Sequence, residues 1–371
     1  MEEIKSNARY QRQMILKGFG VAGQEKLAAA KVLVIGAGGL GCPALQYLAA
    51  AGIGILVVMD DDRVTLSNLH RQPLYNMDDI GKPKADVAAA FLQRLNSDIR
   101  IVAIAEKIHA ENALEIMNGF DIIIDGTDNF SSRYLINDAC VLLNKPLVFG
   151  AVSQYEGQLA VFNVSKEGED AVNYRDLFPQ PPAPGEVPGC AEAGVLGVLP
   201  GIIGTMQAAE TIKLITGIGE PLVNRLYIFN IRNNQGYEVK LHKRKDSGDS
   251  IPDSAALFRQ TNYESICERE TNPLEISPAE FDQWIQSGRA LAIDVREYGE
   301  LPAVTEFDYE QIPLSELQEK FNMTNADAVL FFCQVGIRSA QAARWMGYRF
   351  GNDKLFYSLQ GGILNYKQQP V

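Results

Sequence analysis

The sequence predicts an α/β protein: a doubly wound parallel sheet with an antiparallel extension, followed by a second, smaller α/β unit. Three observations carry this. Lys31-Val-Leu-Val-Ile-Gly36 is a β-branched run that reads as a buried parallel strand entering a glycine-rich turn. Strand-like and helix-like segments alternate from there to Asp125. A polar stretch from Lys243 to about Pro273 then precedes a renewed strand–helix pattern.

Taken in order, Pro43 to Ala51 is an apolar helix and Ile53 to Met59 a strand ending at Asp60. Ala85 to Leu95 reads as a helix, and Ile99 to Ala105 and Asp121 to Asp125 as strands. Leu147 to Val152 and Gln158 to Phe162 suggest an antiparallel pair turning at Gly157. The proline-rich stretch Phe178 to Pro188 is expected to be a loop, and Gly197 to Ile215 an apolar helix. The expected organisation is residues 1–245 as one domain, 246–275 as linker and 276–371 as a second domain. In the last, Ile276-Ser-Pro-Ala-Glu opens a capped helix, and Ala290 to Val295 and Ala328 to Phe332 are strands.

A chain of 371 residues exceeds one ordinary core, and 46% hydrophobic with 22% charged residues marks it as globular. The net charge of −12 argues against a nucleic-acid partner, which would require a positive field. The polar start and the short apolar runs predict neither a secretory leader nor a membrane span, so a cytoplasmic location is expected. Five scattered cysteines with no CxxC pair, and three histidines far apart, argue against a disulfide framework or a zinc ribbon.

Gly36-Ala-Gly38-Gly39-Leu-Gly41 fits a phosphate-approaching turn before a helix, and Asp60 stands where an acid would hold ribose hydroxyls. These residues alone leave a nicotinamide dehydrogenase and another nucleotide user equally open. The next segment separates them: Asp62, Asn68, Arg71, Gln72 and then Lys84 crowd polar and cationic groups beyond the ribose acid. A dehydrogenase has no use for that cluster, whereas displacement of pyrophosphate from ATP needs preorganised cations. Asp128, at a strand end, offers a hard oxygen ligand for Mg2+; the alternative is that Asp128 and Asn129 only cap the next helix.

From Arg9-Tyr-Gln-Arg12-Gln to about Lys240 the chain resembles the ThiF/MoeB-type adenylyltransferases, Rossmann-like bacterial relatives of ubiquitin-activating enzymes. The resemblance implies ATP and Mg2+ as cofactors, with Asp60 on the ribose, Asn68, Arg71, Gln72 and Lys84 around the phosphates, and Asp128 on the metal. It implies that Arg12 reaches into a partner subunit's site, hence a homodimer. The implied substrate is a small ubiquitin-like sulfur-carrier protein ending in Gly-Gly, whose tail threads a cleft walled in part by Gly150 and Gly157. Relatives place a reactive cysteine at the position of Cys190, within Pro188-Gly-Cys190-Ala-Glu-Ala-Gly194; the alternative is a small buried hydrophobe. Many relatives hold zinc with two CxxC pairs. Here the first would fall at Asn173-Tyr-Arg-Asp176 and the second near Lys243 to Ser250, so zinc is not expected.

In the second domain Cys333-Gln-Val-Gly336-Ile-Arg338-Ser339 follows a strand and precedes a helix, presenting amides and a guanidinium towards one sulfur. This loop, with Ala292-Ile-Asp294-Val-Arg296-Glu297 and Gly361-Gly362, resembles a rhodanese active loop. The resemblance implies a persulfide on Cys333, loaded by a donor such as a cysteine desulfurase. Pro302 to Gln311 replaces a customary segment, and Tyr366 stands where tryptophan is usual, so a degenerate docking domain is the alternative. Cys42 and Cys140 are expected in the core; Cys267 has no assigned role.

Overall fold

The structure, a computed structural model, describes residues 2–166, 168–181, 194–244, 250–263, 274–322, 325–350 and 354–367. They form two compact units that divide at about residue 264. The first opens with helices α1 (Glu2–Met14) and α2 (Gly20–Ala29). Then β1 (Lys31–Ile35), α3 (Gly41–Ala51), β2 (Ile55–Met59), α4 (Lys84–Leu95), β3 (Arg100–Ile104), α5 (Ala113–Asn118), β4 (Ile122–Asp125) and α6 (Phe130–Leu143) alternate. β5 (Leu147–Ser153), β6 (Glu156–Phe162), β7 (Arg225–Asn230) and β8 (Gln235–Lys240) extend the sheet, with α7 (Tyr174–Leu177) and α8 (Val198–Thr216) between β6 and β7.

The sheet order is β3-β2-β1-β4-β5-β6-β7-β8, parallel as far as β5 and antiparallel beyond it. Strands β1, β2 and β4 are apolar on both faces because helices cover both; Val32, Val34, Leu56, Val58, Ile122 and Ile124 share one core with Leu45, Leu48 and Leu92. The chain builds outward from β1 to β3, then returns to lay β4 on β1's other side. That reversal leaves a crevice beyond the carboxyl ends of β1 and β4, the place where such sheets bind ligands.

Two expectations about this unit need correction. Gly157 is not a turn residue but lies inside β6, and the hairpin turns at Gln154-Tyr155, with Gln154 at φ 50°. Residues 250–263, assigned to the linker on composition, carry helix α9 (Ala255–Gln260), and Phe258 and Tyr263 are buried. Tyr263 Oη donates to Asp138 Oδ2 at 3.0 Å, in a buried cluster where Arg175 forks onto the same carboxylate at 2.8 and 2.7 Å. This stretch is therefore part of the first unit.

The segment Asn173–Asp176 is held without cysteines. Asn173 and Asp176 form a capping box on α7, and Asp176 also accepts from Arg244 N at 2.8 Å and lies 3.3 Å from Lys243 Nζ. One carboxylate thus ties the start of the crossover to the segment after β8.

The second unit comprises β9 (Leu274–Ile276), α10 (Pro278–Gln286), β10 (Ala290–Asp294), β11 (Glu310–Gln311), α11 (Leu317–Lys320), β12 (Ala328–Phe332), α12 (Ile337–Phe350), β13 (Leu355–Leu359) and α13 (Gly362–Tyr366). Its five strands are all parallel, in the order β11-β10-β12-β13-β9. Central β12 is buried throughout, with helices on both faces. Ser277 and Glu280 form the expected capping box on α10, with Pro278 in the first turn.

Candidate active sites

The turn after β1 is built from what its glycines lack. Gly36 sits at φ +95°, and a Cβ on Gly41 would lie 1.9 Å from Gly36 O. Gly41 therefore permits α3 to start against the strand. Gly36, Gly38 and Gly39 line a cleft of about 770 Å³ at the sheet's switch point, and Gly41 does not.

The same cleft collects Asp60, Asp62, Asn68, Arg71, Gln72, Lys84 and Asp128, so residues spread over more than 90 positions converge. Asp60 sits under the glycine turn, accepting from Ala37 N at 2.7 Å and Asp62 N at 2.9 Å. Burial pushes its carboxyl up, while Lys84 and those two amides pull it back. Lys84 opens α4, where the helix dipole disfavours a cation, and it is only 4% exposed. Its ammonium pairs with Asp62 at 2.7 Å, and that partner is largely solvated.

Asn68 closes a short 3-10 turn with Thr65. Arg71 Nη1 donates to Ser67 O at 2.9 Å and lies 2.8 Å from His70 Nε2. Gln72 is 3% exposed, and its Oε1 has no hydrogen-bond partner among the described residues. An orphaned buried acceptor in a cleft is the kind of atom a ligand completes.

After β4, two adjacent residues divide two tasks. Asn129 caps α6, its Oδ1 accepting from Ser132 N at 2.9 Å. Asp128 caps nothing; it is exposed in the cleft and makes no hydrogen bond or ion pair among the described residues. Beneath them Asp125 is fully buried, accepting from Thr127 N at 2.9 Å and Thr127 Oγ1 at 2.6 Å, and burial pushes its carboxyl up. The bland reading, in which Asp128 and Asn129 both serve the helix, therefore holds for Asn129 alone.

Other expected residues fall elsewhere. Arg12 stands exposed on α1 and does not line its own chain's cleft. Gly150 and Gly157 are packing glycines: a Cβ there would meet Gln207 at 2.6 Å or Ile203 at 2.4 Å. Cys190 and Cys267 lie outside the described residues. Cys42 and Cys140 are buried, and burial pushes the Cys42 thiol up to about 12. Sequence reasoning missed Glu106, Lys107 and His70, which also line the cleft. Their signal was position: the first two follow β3, beside β2 and Asp60, and His70 sits between two residues already singled out.

The second unit carries its own site. Cys333 directly follows the buried β12 and is itself buried; Gly336 N donates to its sulfur at 3.2 Å and Ser339 Oγ lies 3.5 Å away. Ser358 Oγ in turn reaches Ser339 Oγ at 3.0 Å. Arg338 forks onto Glu300 at 2.6 and 2.7 Å, which holds the Glu300 carboxyl down at about 2. Arg296 is buried, forks onto Asp294, and donates to Pro302 O at 2.9 Å. Asp294 and Arg296 thus brace the fold.

Both units have counterparts among known proteins. Residues 10–250 match the ThiF family and residues 277–369 the rhodanese-like domain. A sulfur carrier protein adenylyltransferase from Thermus thermophilus is 55% identical over 260 residues, 70% of this chain and 96% of that protein. A probable adenylyltransferase/sulfurtransferase, MoeZ, from Mycobacterium tuberculosis is 39% identical over 373 residues, 98% of this chain and 93% of that one. The crystal structure of E. coli MccB with ATP superposes with a TM-score of 0.52 at 25% identity, covering 61% of this chain and 67% of that one.

Proposed function

Since this chain belongs to the ThiF family and ends in a rhodanese-like domain, we propose that it adenylates the C-terminal glycine of a ubiquitin-like sulfur-carrier protein and converts that end to a thiocarboxylate. The observation that carries the reading is the convergence of Asp60, Asn68, Arg71, Gln72, Lys84 and Asp128 on one cleft beside the glycine turn.

Strand order supports one direction for the nucleotide. The turn after β1 takes the phosphates, Asp60 at the end of β2 takes the ribose, and the residues after β3 face the base. The carrier's carboxylate attacks the α-phosphorus, the bond to the bridging oxygen breaks, and pyrophosphate leaves with its electron pair. Arg71 and Lys84 offset the charge that builds on the leaving group. Lys84 exchanges its Asp62 partner for phosphate, which also relieves a cation held at a helix start. Asp128 is the acid that would hold Mg2+, which neutralises triphosphate charge when bound.

In the second stage the terminal sulfur of a Cys333 persulfide attacks the acyl carbon and AMP leaves. A thiol then attacks Cys333 in the resulting acyl disulfide, which frees the thiocarboxylate; a thiol reductant reopens the disulfide left behind. Cys190 is the candidate thiol. Arg12 completes the cleft of a second copy, so the enzyme works as a homodimer. A cysteine desulfurase is the donor class that supplies persulfide sulfur, and the cytoplasm is the compartment; among the described residues no helix is long and apolar enough to cross a membrane.

Exchange of labelled pyrophosphate into ATP tests the first stage. It is expected to depend on a carrier ending in Gly-Gly and to vanish when that end is removed. Exchange indifferent to the carrier would refute adenylation. Intact mass of the carrier tests the second stage, with oxygen-to-sulfur replacement expected only when Cys333 is present.

A further inference from the structure

The charges around Cys333 are cancelled from within. Arg338, the cation of the cysteine loop, interacts electrostatically with Cys333, yet both its terminal nitrogens are engaged by Glu300 at 2.6 and 2.7 Å. The Glu300 oxygen that takes Arg338 Nη1, Oε1, also accepts from Glu297 N at 2.7 Å. Arg296, which also feels the Glu300 charge, is spent on Asp294. Two guanidinium groups thus face three carboxylates (Asp294, Glu297 and Glu300), and the sulfur's near donors, Gly336 N and Ser339 Oγ, are uncharged. The Arg338–Glu300 pair is part-buried, with side chains 32% and 27% exposed, so its field is only partly screened by solvent.

We propose that Glu300 is a specificity-determining residue for the sulfur donor: by forking onto Arg338 it denies that guanidinium to small polyanions and reserves Cys333 for sulfur carried on another thiol as a persulfide. This rests on the sulfur-transfer reading of Cys333. The two donors reach the same product by balanced steps. With thiosulfate, the Cys333 thiolate attacks the outer sulfur, the S–S bond breaks, and sulfite leaves with the electron pair. With a persulfide, the thiolate takes the terminal S–H sulfur and the donor leaves as its thiolate. Only the first requires a dianion to approach a site without net positive charge.

The test uses the full chain and three probes. Iodoacetamide and iodoacetate alkylate Cys333 by the same displacement, so the ratio of their rates reports charge at the mouth and is independent of the thiol's ionisation. Glu300→Gln is expected to raise the iodoacetate-to-iodoacetamide ratio about threefold. It should raise Cys333 persulfide formation from thiosulfate, followed by intact mass, about tenfold, since thiosulfate carries twice the charge. Loading from cysteine persulfide should change less than twofold, and concentrated salt should erase both gains. Arg338→Gln, which leaves Glu300 without its partner, should move both quantities the other way. An unchanged ratio in Glu300→Gln, or the same direction in both variants, overturns the proposal while leaving sulfur transfer intact. Failure of wild-type Cys333 to load from either donor overturns the sulfur-transfer reading, and the proposal with it.

Discussion

The cleft beside β1 and the loop after β12 both sit at the carboxyl end of a central parallel strand, but they treat polar groups in opposite ways. The cleft leaves groups unsatisfied: Asp128 has no partner among the described residues, Gln72 Oε1 is orphaned, and Lys84 leans on a largely solvated Asp62. Around Cys333 nearly everything is satisfied, by Glu300 on Arg338, Asp294 on Arg296 and Ser358 on Ser339. A site that receives a triphosphate keeps its groups in waiting for the ligand. On the proposed reading, a site that carries one sulfur atom needs a quiet, fixed cradle, and completes its bonds within the protein.

The contrast can be broken most directly at Asp128. Asp128→Ala should lower carrier-dependent pyrophosphate exchange by about a thousandfold, the scale of losing a main electrostatic group, with the melting temperature unchanged. A loss below tenfold would mean the exposed acid is an ordinary surface carboxylate. In the second site, Ser339→Ala should slow persulfide formation on Cys333 about tenfold, the worth of one hydrogen bond to a charged sulfur, and leave exchange untouched. A rate within twofold of wild type would show that the cradle is not what sustains reactivity.

Asp62→Asn sharpens the comparison. With its anion gone, buried Lys84 should depress the melting temperature of the free enzyme, and saturating ATP should restore most of the difference. An equal drop with and without ATP would make Asp62 a purely structural partner. The smallest effect concerns acid. Because Arg338 holds Glu300 below its usual range, the pair contributes stability that is complete above about pH 4.5 and lost as pH falls towards about 2. Thermal melts of wild type and Glu300→Gln should converge over that window, and parallel curves would count against the pair.

Much of this was legible in the residues. Buried strands announce themselves because helices cover both faces and force unbroken apolar runs, and the glycine turn is fixed by close backbone approach. The cap on α10 was written in Ser277-Pro278-Ala279-Glu280. What escaped was tertiary. Phe258 and Tyr263 anchor residues 250–263 to the first unit with two rings in a polar stretch, too sparse for any periodicity. The Arg338–Glu300 fork spans 38 positions, so a cation that the loop alone presents as available is already taken. Gly157 looked like a turn because glycine is common in turns, yet it is there for the Ile203 side chain above it.

The division of labour between Asp128 and Asn129 has a consequence for how this protein could fail. Aspartate and asparagine are about equally good at starting a helix, and the anion gains a little from the dipole. If Asp128 acts as proposed, exchanging the two, Asp128→Asn with Asn129→Asp, is expected to leave folding as firm as before and to abolish adenylation. On that reading stability gives no preference for the present order, and only the chemistry distinguishes the two.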